Sequence, residues 1–155
     1  MRVKELMSTD VKWCRPETDL ATVARMMWNA DCGIIPVIDD QWCVTGVITD
    51  RDICIATATR SLAPARIRVS EAMTRYVTTC SEDADARSAL QALKAHRVRR
   101  LPVVNRQNRI VGVLSMNDLV RRADGRQGTG VPGEELLETL RVISAHPTAV
   151  RSARP

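Results

Sequence analysis

The sequence has no phenylalanine, one tyrosine (Tyr76) and three tryptophans. Readers of single-stranded nucleic acid stack successive bases on aromatic side chains, and this chain has little such platform. Histidine occurs only as His96 and His146, and Cys14, Cys32, Cys43, Cys54 and Cys80 stand singly, with no Cys-x-x-Cys pair. That pattern lacks the close-spaced ligand pairs of a structural zinc site, so no metal is expected and the cysteines read as reduced, mostly buried thiols. No apolar run approaches the ~18 residues of a membrane span. The first ten residues also lack the apolar core of a signal peptide, so a cytoplasmic chain without a membrane partner is expected. Lysine is scarce: Lys4, Lys12 and Lys94 are the only ones, yet Lys plus Arg total 23 against 18 Asp plus Glu, for a net charge of +5. A surplus built from arginine favours anionic partners, either nucleotide phosphates or nucleic acid.

What the chain does contain is a repeat. Residues 3–53 laid over residues 69–119, at a constant offset of 66, are identical at twelve of 51 positions, among them Cys14/Cys80, Asp19/Asp85, Pro36/Pro102, Gly46/Gly112 and Asp52/Asp118. Others keep their character, such as Thr49/Ser115 and Ile53/Leu119. Register held without gaps over that length marks a duplicated unit.

Each copy alternates helix and strand. Leu20, Val23, Ala24 and Met27 recur at spacings of three and four, as do Ala86, Ala89, Leu90 and Leu93, which predicts a helix in each copy. Two short apolar runs follow, Ile34–Ile38 and Val44–Ile48 in the first copy, Leu101–Val104 and Ile110–Leu114 in the second. The polar residues between them predict a hairpin. Pro36 and Pro102 cannot donate to a ladder, so each is expected at a strand start or edge. A second helix starts at Thr49 or Ser115. The fold class is thus α/β (α+β): two tandem β-α-β-β-α repeats packed sheet to sheet with pseudo-two-fold symmetry, because neither copy alone covers its sheet. The expected boundaries are 1–60 for the first repeat, 61–68 for a linker and 69–123 for the second repeat. A glycine-rich linker at 124–133, a C-terminal helix at 134–146 ended by Pro147, and a tail at 147–155 complete the chain.

Each hairpin ends in Gly-x-x-[Thr/Ser]-x-x-Asp: Gly46, Thr49, Arg51 and Asp52 in the first copy, Gly112, Ser115, Asn117 and Asp118 in the second. A glycine lets a ligand or another backbone approach the strand closely. A hydroxyl at a strand-to-helix turn sits where free N–H groups and the helix dipole favour phosphate. An aspartate one turn later can accept from both hydroxyls of a ribose. Thr49 and Ser115 are also good N-caps, and the acid three residues on completes a capping box; the recurrence of the motif in both copies shifts the balance toward a site.

The doubled pattern, over about residues 1–123, resembles the CBS-domain pair, or Bateman module. The resemblance implies two clefts between the paired sheets, each suited to an adenosine derivative such as AMP, ADP, ATP or S-adenosylmethionine, with no catalytic cofactor. It implies that Asp52 and Asp118 hold ribose and that Thr49 and Ser115 contact ribose or phosphate. Backbone and apolar side chains near Ile35, Pro36, Leu101, Pro102, Val11 and Val77 would enclose the base. Arg99 and Arg100 stand where phosphate-binding members often place a basic residue, and on that ground the Asp118 cleft is expected to take the phosphorylated ligand. Tyr76 and Trp13 are candidates to stack on adenine. Many members form dimers of modules, so a homodimer and an unidentified protein target are expected. The reading is a stand-alone regulatory ligand sensor and not an enzyme, since no nucleophile–base pair, metal cluster or phosphate loop is evident. The alternatives are a basic nucleic-acid-binding member and a purely structural dimerisation module with empty clefts.

Overall fold

The computed structural model describes residues 1–122 and 130–145. The expected glycine-rich linker lies largely outside these residues, as do Pro147 and the tail. Helices α1 (Leu20–Ala30), α2 (Asp50–Arg60), α3 (Ala86–His96), α4 (Met116–Arg121) and α5 (Gly133–Ser144) and strands β1 (Ile34–Ile38), β2 (Val44–Thr49), β3 (Cys80–Ser81), β4 (Arg100–Val104) and β5 (Ile110–Ser115) build two sheets. Strands β1 and β2 are antiparallel, as are β4 and β5, and β3 runs parallel beside β4. Cys14 makes the corresponding parallel bridge to Val37, so the duplication extends to the first strand.

Local chemistry sets these elements. Asp19 and Asp85 cap α1 and α3, each accepting from the backbone N–H three residues on at 2.9 Å. Both helices end on a residue in the left-handed region, Asp31 and Arg97. In the hairpin turns Asp39 Oδ1 accepts from the N–H groups of Gln41 and Cys43, and Asn105 Oδ1 from those of Gln107 and Arg109. These side chains act as local turn templates. Most of each predicted helix face packs: Leu20, Val23 and Met27 are buried in one core, and Ala86, Ala89, Leu90 and Leu93 in the other, whereas Ala24 is half-buried and borders a surface groove.

The prolines depart from expectation. Pro36 and Pro102 are the third residues of β1 and β4 and pair with Val47 and Val113; β4 lies between β3 and β5, and β1 has β2 on one side and the single Cys14 bridge on the other. Cys14 N donates to Pro36 O at 3.0 Å and Ile38 N donates to Cys14 O at 2.9 Å. The parallel ladder begins only at Cys14, so the missing N–H of Pro36 falls at its open end and no bond is lost. The thiols also differ: only Cys14 is buried, Cys32, Cys43 and Cys80 are half-buried, and Cys54 is exposed.

The repeats exchange their leading segments. Residues 1–8 pack on the second repeat: Val3 N donates to Ala84 O, Ala86 N to Met1 O, and Ser8 and Val113 exchange two bonds of 3.0 Å. Reciprocally, Leu20 N donates to Ile67 O, Val69 N to Thr18 O, and Thr74 and Val47 exchange two bonds of 2.9 Å. Val3 and Leu6 therefore lie in the core around Leu90, Leu101 and Leu114, while Ile67 and Val69 lie in the core around Val23, Ile35 and Ile48. The stretch expected to be a plain linker holds Ile67 with no exposed surface. At the hairpin tips the two copies touch directly, Ile110 N donating to Trp42 O at 3.0 Å.

Helix α5 is present where a C-terminal helix was expected. It lies on α3 and α4, with Leu136 buried and Leu140 and Ile143 packed against the second core. The first repeat has no such cover among the described residues: its α1–α2 face leaves Trp28 87% exposed.

Candidate functional site

Alternation along the strands decides what faces the other repeat. Ile35, Val37 and Ile48 point to their own helices, and so do Leu101, Val103 and Leu114. Ile34, Pro36, Val47, Pro102 and Val113 point the other way and line clefts between the repeats. The expectation that Ile35 and Leu101 help enclose a ligand base is corrected for their side chains: both are fully buried in the cores, one pleat position from the cleft wall.

Two clefts result, related by the pseudo-two-fold. One, of about 680 Å³, is bordered by Thr49 and Arg51, by Val77 and Tyr76, and by Arg97 to Arg100 with Pro102. The other, of about 520 Å³, is bordered by Ser115 and Asp118, by Val11 and Lys12, and by Asp31, Cys32 and Ile34 with Pro36. Volumes of this size suit a small-molecule ligand. Each cleft takes its hydroxyl from one repeat and its proline wall from the other. The proline strand of each copy thus serves the partner copy's motif, an arrangement the order of residues along the chain does not reveal.

The motif hydroxyls and carboxylates form paired capping boxes. Thr49 N donates to Asp52 Oδ2 at 2.9 Å and Asp52 N to Thr49 Oγ1 at 3.1 Å. Ser115 N and Oγ donate to Asp118 Oδ2 at 2.8 and 2.6 Å, and Asp118 N to Ser115 Oγ at 3.3 Å. The caps use Oδ2 and leave Oδ1 of each carboxylate outside the box. Asp118 borders its cleft directly, whereas Asp52 stands behind Thr49 and is not part of the cleft wall.

The glycines serve backbone, not ligand. A Cβ on Gly46 would lie 2.9 Å from both Met73 Sδ and Thr74 O. One on Gly112 would lie 3.0 Å from Ser8 O and closer still to Met7 Sδ. Both positions admit the exchanged strands Met7–Ser8 and Met73–Thr74, and neither borders a cleft. Asn117 lies in a side recess with Arg99, Arg100 and Ser115.

Charge separates the clefts. Arg51, Arg97, Arg99 and Arg100 border the Thr49 cleft, with His96 at its rim and Asp50 as the opposing acid. Asp10, Asp31 and Asp118 border the other, against Lys12 and Arg100, and Lys12 Nζ is held by Asp10 at 2.7 Å. The arginine pair was expected to mark the Asp118 cleft. It does not mark that cleft alone: Arg100 borders both clefts, and Arg99 faces the Thr49 cleft and the recess beside Ser115. Arg97 adds to the same side. Tyr76 borders the Thr49 cleft, while Trp13 instead packs edge-on to Trp42 at 4.9 Å, with Arg15 over its ring.

The Cys14 and Cys80 thiols are pushed up to about 12 and about 11, first by burial and, for Cys14, also by Glu17. Neither is an available thiolate at neutral pH. No group of three or more His, Cys, Asp or Glu gathers for a metal among the described residues.

The model of the CBS domain matches residues 3–58 and 69–125, each repeat in turn. The chain belongs to the CBS-domain family. Among curated relatives, the CBS domain-containing protein YhcV of Bacillus subtilis is 30% identical over 128 residues, covering 83% of this chain and 89% of YhcV. Inosine-5'-monophosphate dehydrogenase of Methanocaldococcus jannaschii is 27% identical over 121 residues, 78% of this chain but 23% of that enzyme's length. Two solved structures share the fold. A CBS domain pair in complex with 5'-methylthioadenosine and S-adenosyl-L-methionine has a TM-score of 0.70 at 24% identity, covering 78% of this chain and 94% of that one. CBSX2 in complex with AMP has a TM-score of 0.67 at 23% identity, covering 79% and 95%. No helix among the described residues is long and apolar enough to cross a membrane.

Proposed function

We propose that this CBS pair senses an adenosine-containing ligand and passes its occupancy to a protein target, without catalysing a reaction. The observation that carries this reading is the pair of inter-repeat clefts, each with a motif hydroxyl at a helix N-terminus and an apolar wall from the opposite copy. A ligand held by both repeats binds one relative placement of them better than another, which is the thermodynamic requirement for a switch. Fold neighbours carrying AMP, or 5'-methylthioadenosine with S-adenosylmethionine, support the adenosine class.

The charges favour different ligands in the two clefts. The Thr49 cleft joins four arginines to the N-terminus of the eleven-residue α2 and suits a phosphorylated adenosine such as AMP, ADP or ATP. The more acidic Asp118 cleft suits an uncharged or cationic adenosine compound, S-adenosylmethionine among them. Nucleic acid is less favoured, because these arginines converge on a cleft with a proline and valine floor rather than spreading along one open face. A thermal-shift panel tests the assignment. AMP and ATP at ~100 times their dissociation constant should stabilise the protein by about 2.7 kcal/mol. Asp118→Ala should abolish the shift from S-adenosylmethionine and leave that from AMP. The reverse pattern would transpose the two assignments, and the absence of any shift would reject the adenosine class.

We further propose a homodimer through the bare α1–α2 face, where Ala24, Met27, Trp28 and Ile53 border a groove of about 500 Å³. On the second repeat the matching face is covered by α5, and Lys94, the counterpart of Trp28, is engaged by Glu138 at 2.7 Å. A charge at the centre of an apolar contact is costly to bury. Sedimentation should show a dimer for the parent chain and a monomer for Trp28→Glu; equal masses would dismiss this face as the interface.

A further inference from the structure

Helix α5 lies beyond the residues that match the CBS domain, yet it reaches a cleft. Two ion pairs fix it along α3: Arg87 binds the Glu135 carboxylate through two nitrogens, and Lys94 binds Glu138 at 2.7 Å. Leu136 anchors the middle of the helix in the second core. Its last turn then places Ile143 in the wall of the Thr49 cleft, which Arg97, Val98 and Arg99 also border, and Leu140 borders the recess shared by Arg99, Arg100 and Ser115. The Asp118 cleft has no such wall among its lining residues.

We infer that Ile143 is a specificity-determining residue of the Thr49 cleft, and that the docking of α5 on α3 sets that cleft's affinity for anionic ligands. The inference rests on the nucleotide reading above. Once an anionic ligand fills the cleft, an aliphatic wall residue helps to exclude the water that the open cleft admits, and the pull of an arginine on an anion strengthens as the local dielectric falls. The same contact works in reverse: a ligand that gains from a docked α5 must tighten the docking by an equal free energy. Occupancy of the cleft is thereby reported at a helix 12 residues long that the rest of the family pattern does not include.

Calorimetric titration of AMP and ATP into the full chain, its Ile143→Glu variant and its Ile143→Lys variant tests this. An anion beside Arg97 and Arg99 should weaken nucleotide binding in the Thr49 cleft on the order of tenfold, while the lysine should hold or improve it. S-adenosylmethionine binding, assigned by its loss in Asp118→Ala, should not move with either variant. Equal losses for both charges would mean that Ile143 only packs, and no change in either would mean that it is remote; each result overturns the inference and leaves the nucleotide reading standing. No binding of any adenosine compound to the parent chain overturns both. Should Ile143→Glu fail to fold, hydrogen exchange on the parent chain decides: saturating AMP should slow the amides of residues 136–144, and unchanged protection there overturns the coupling.

Discussion

The double variant Arg97→Gln/Arg99→Gln should bind AMP at least about 100-fold more weakly than the parent chain, since hydrogen bonds to charged groups contribute about 1.5–3 kcal/mol each. Two such bonds need not add, because neighbours in one site couple; the lower bound takes roughly one full bond and part of the second. Glutamine keeps much of the stem and removes the charge. The substitution spares the fold, because both side chains are exposed and Arg97 contributes to the end of α3 through its backbone, its N–H donating to the carbonyls of Leu93 and Lys94. Lys12→Gln is the matched control: it removes a cation from the other cleft and should leave AMP binding unchanged. Isothermal titration at fixed ionic strength provides the measurement. A change below about threefold in the double variant would show that the guanidinium groups face solvent and not phosphate.

Ile67→Ala should destabilise the protein by about 2–5 kcal/mol, the range for removing most of a buried aliphatic side chain and leaving a cavity. Ile67 has no exposed surface and packs with Leu20, Val23 and Ile48, and its carbonyl accepts from Leu20 N at 2.9 Å. For a chain near this size each kcal/mol moves Tm by about 2–4 °C, so a drop of roughly 4–20 °C is expected. The neighbouring Arg66→Ala, at an exposed position, should stay within about 0.5 kcal/mol. Urea denaturation of the three proteins measures both effects. Similar midpoints for Ile67→Ala and the parent would place residue 67 outside the first core.

The contrast between these two predictions shows what the residue order carries. Period-3.6 apolar faces, the Asp19 and Asp85 caps, the Asp39 and Asn105 turns and the Thr49 and Ser115 capping boxes are local, so a reader of the chain finds each twice. The exchange of leading segments is not local. Whether Met7–Ser8 pairs with its own β2 or with β5 of the other copy depends on where the sheets stand, and the two copies offer nearly the same partner sequence. Gly46 and Gly112 carried a hint, since a strand glycine admits either ligand or backbone, but only the contacts with Thr74 and Ser8 decide between them. The clefts were legible as motifs and illegible as composites. Counting along the chain attaches Arg99 to Asp118, whereas folding two sheets face to face attaches it also to Thr49. Ile35 and Leu101 illustrate the finest limit, because a shift of one residue exchanges wall for interior.

The traded leaders make each half's interior unfinished without the other. A backbone nick near Leu62 would yield two fragments, each holding a piece that completes its neighbour's centre. Neither would own a full set of apolar partners until they recombined. Melting is therefore a joint event, and tension applied to one half is felt in the other through strands it has lent out. On the ligand-sensing reading proposed above this is useful mechanics, since the two lobes that would grip a guest are the same two lobes that cannot come apart separately.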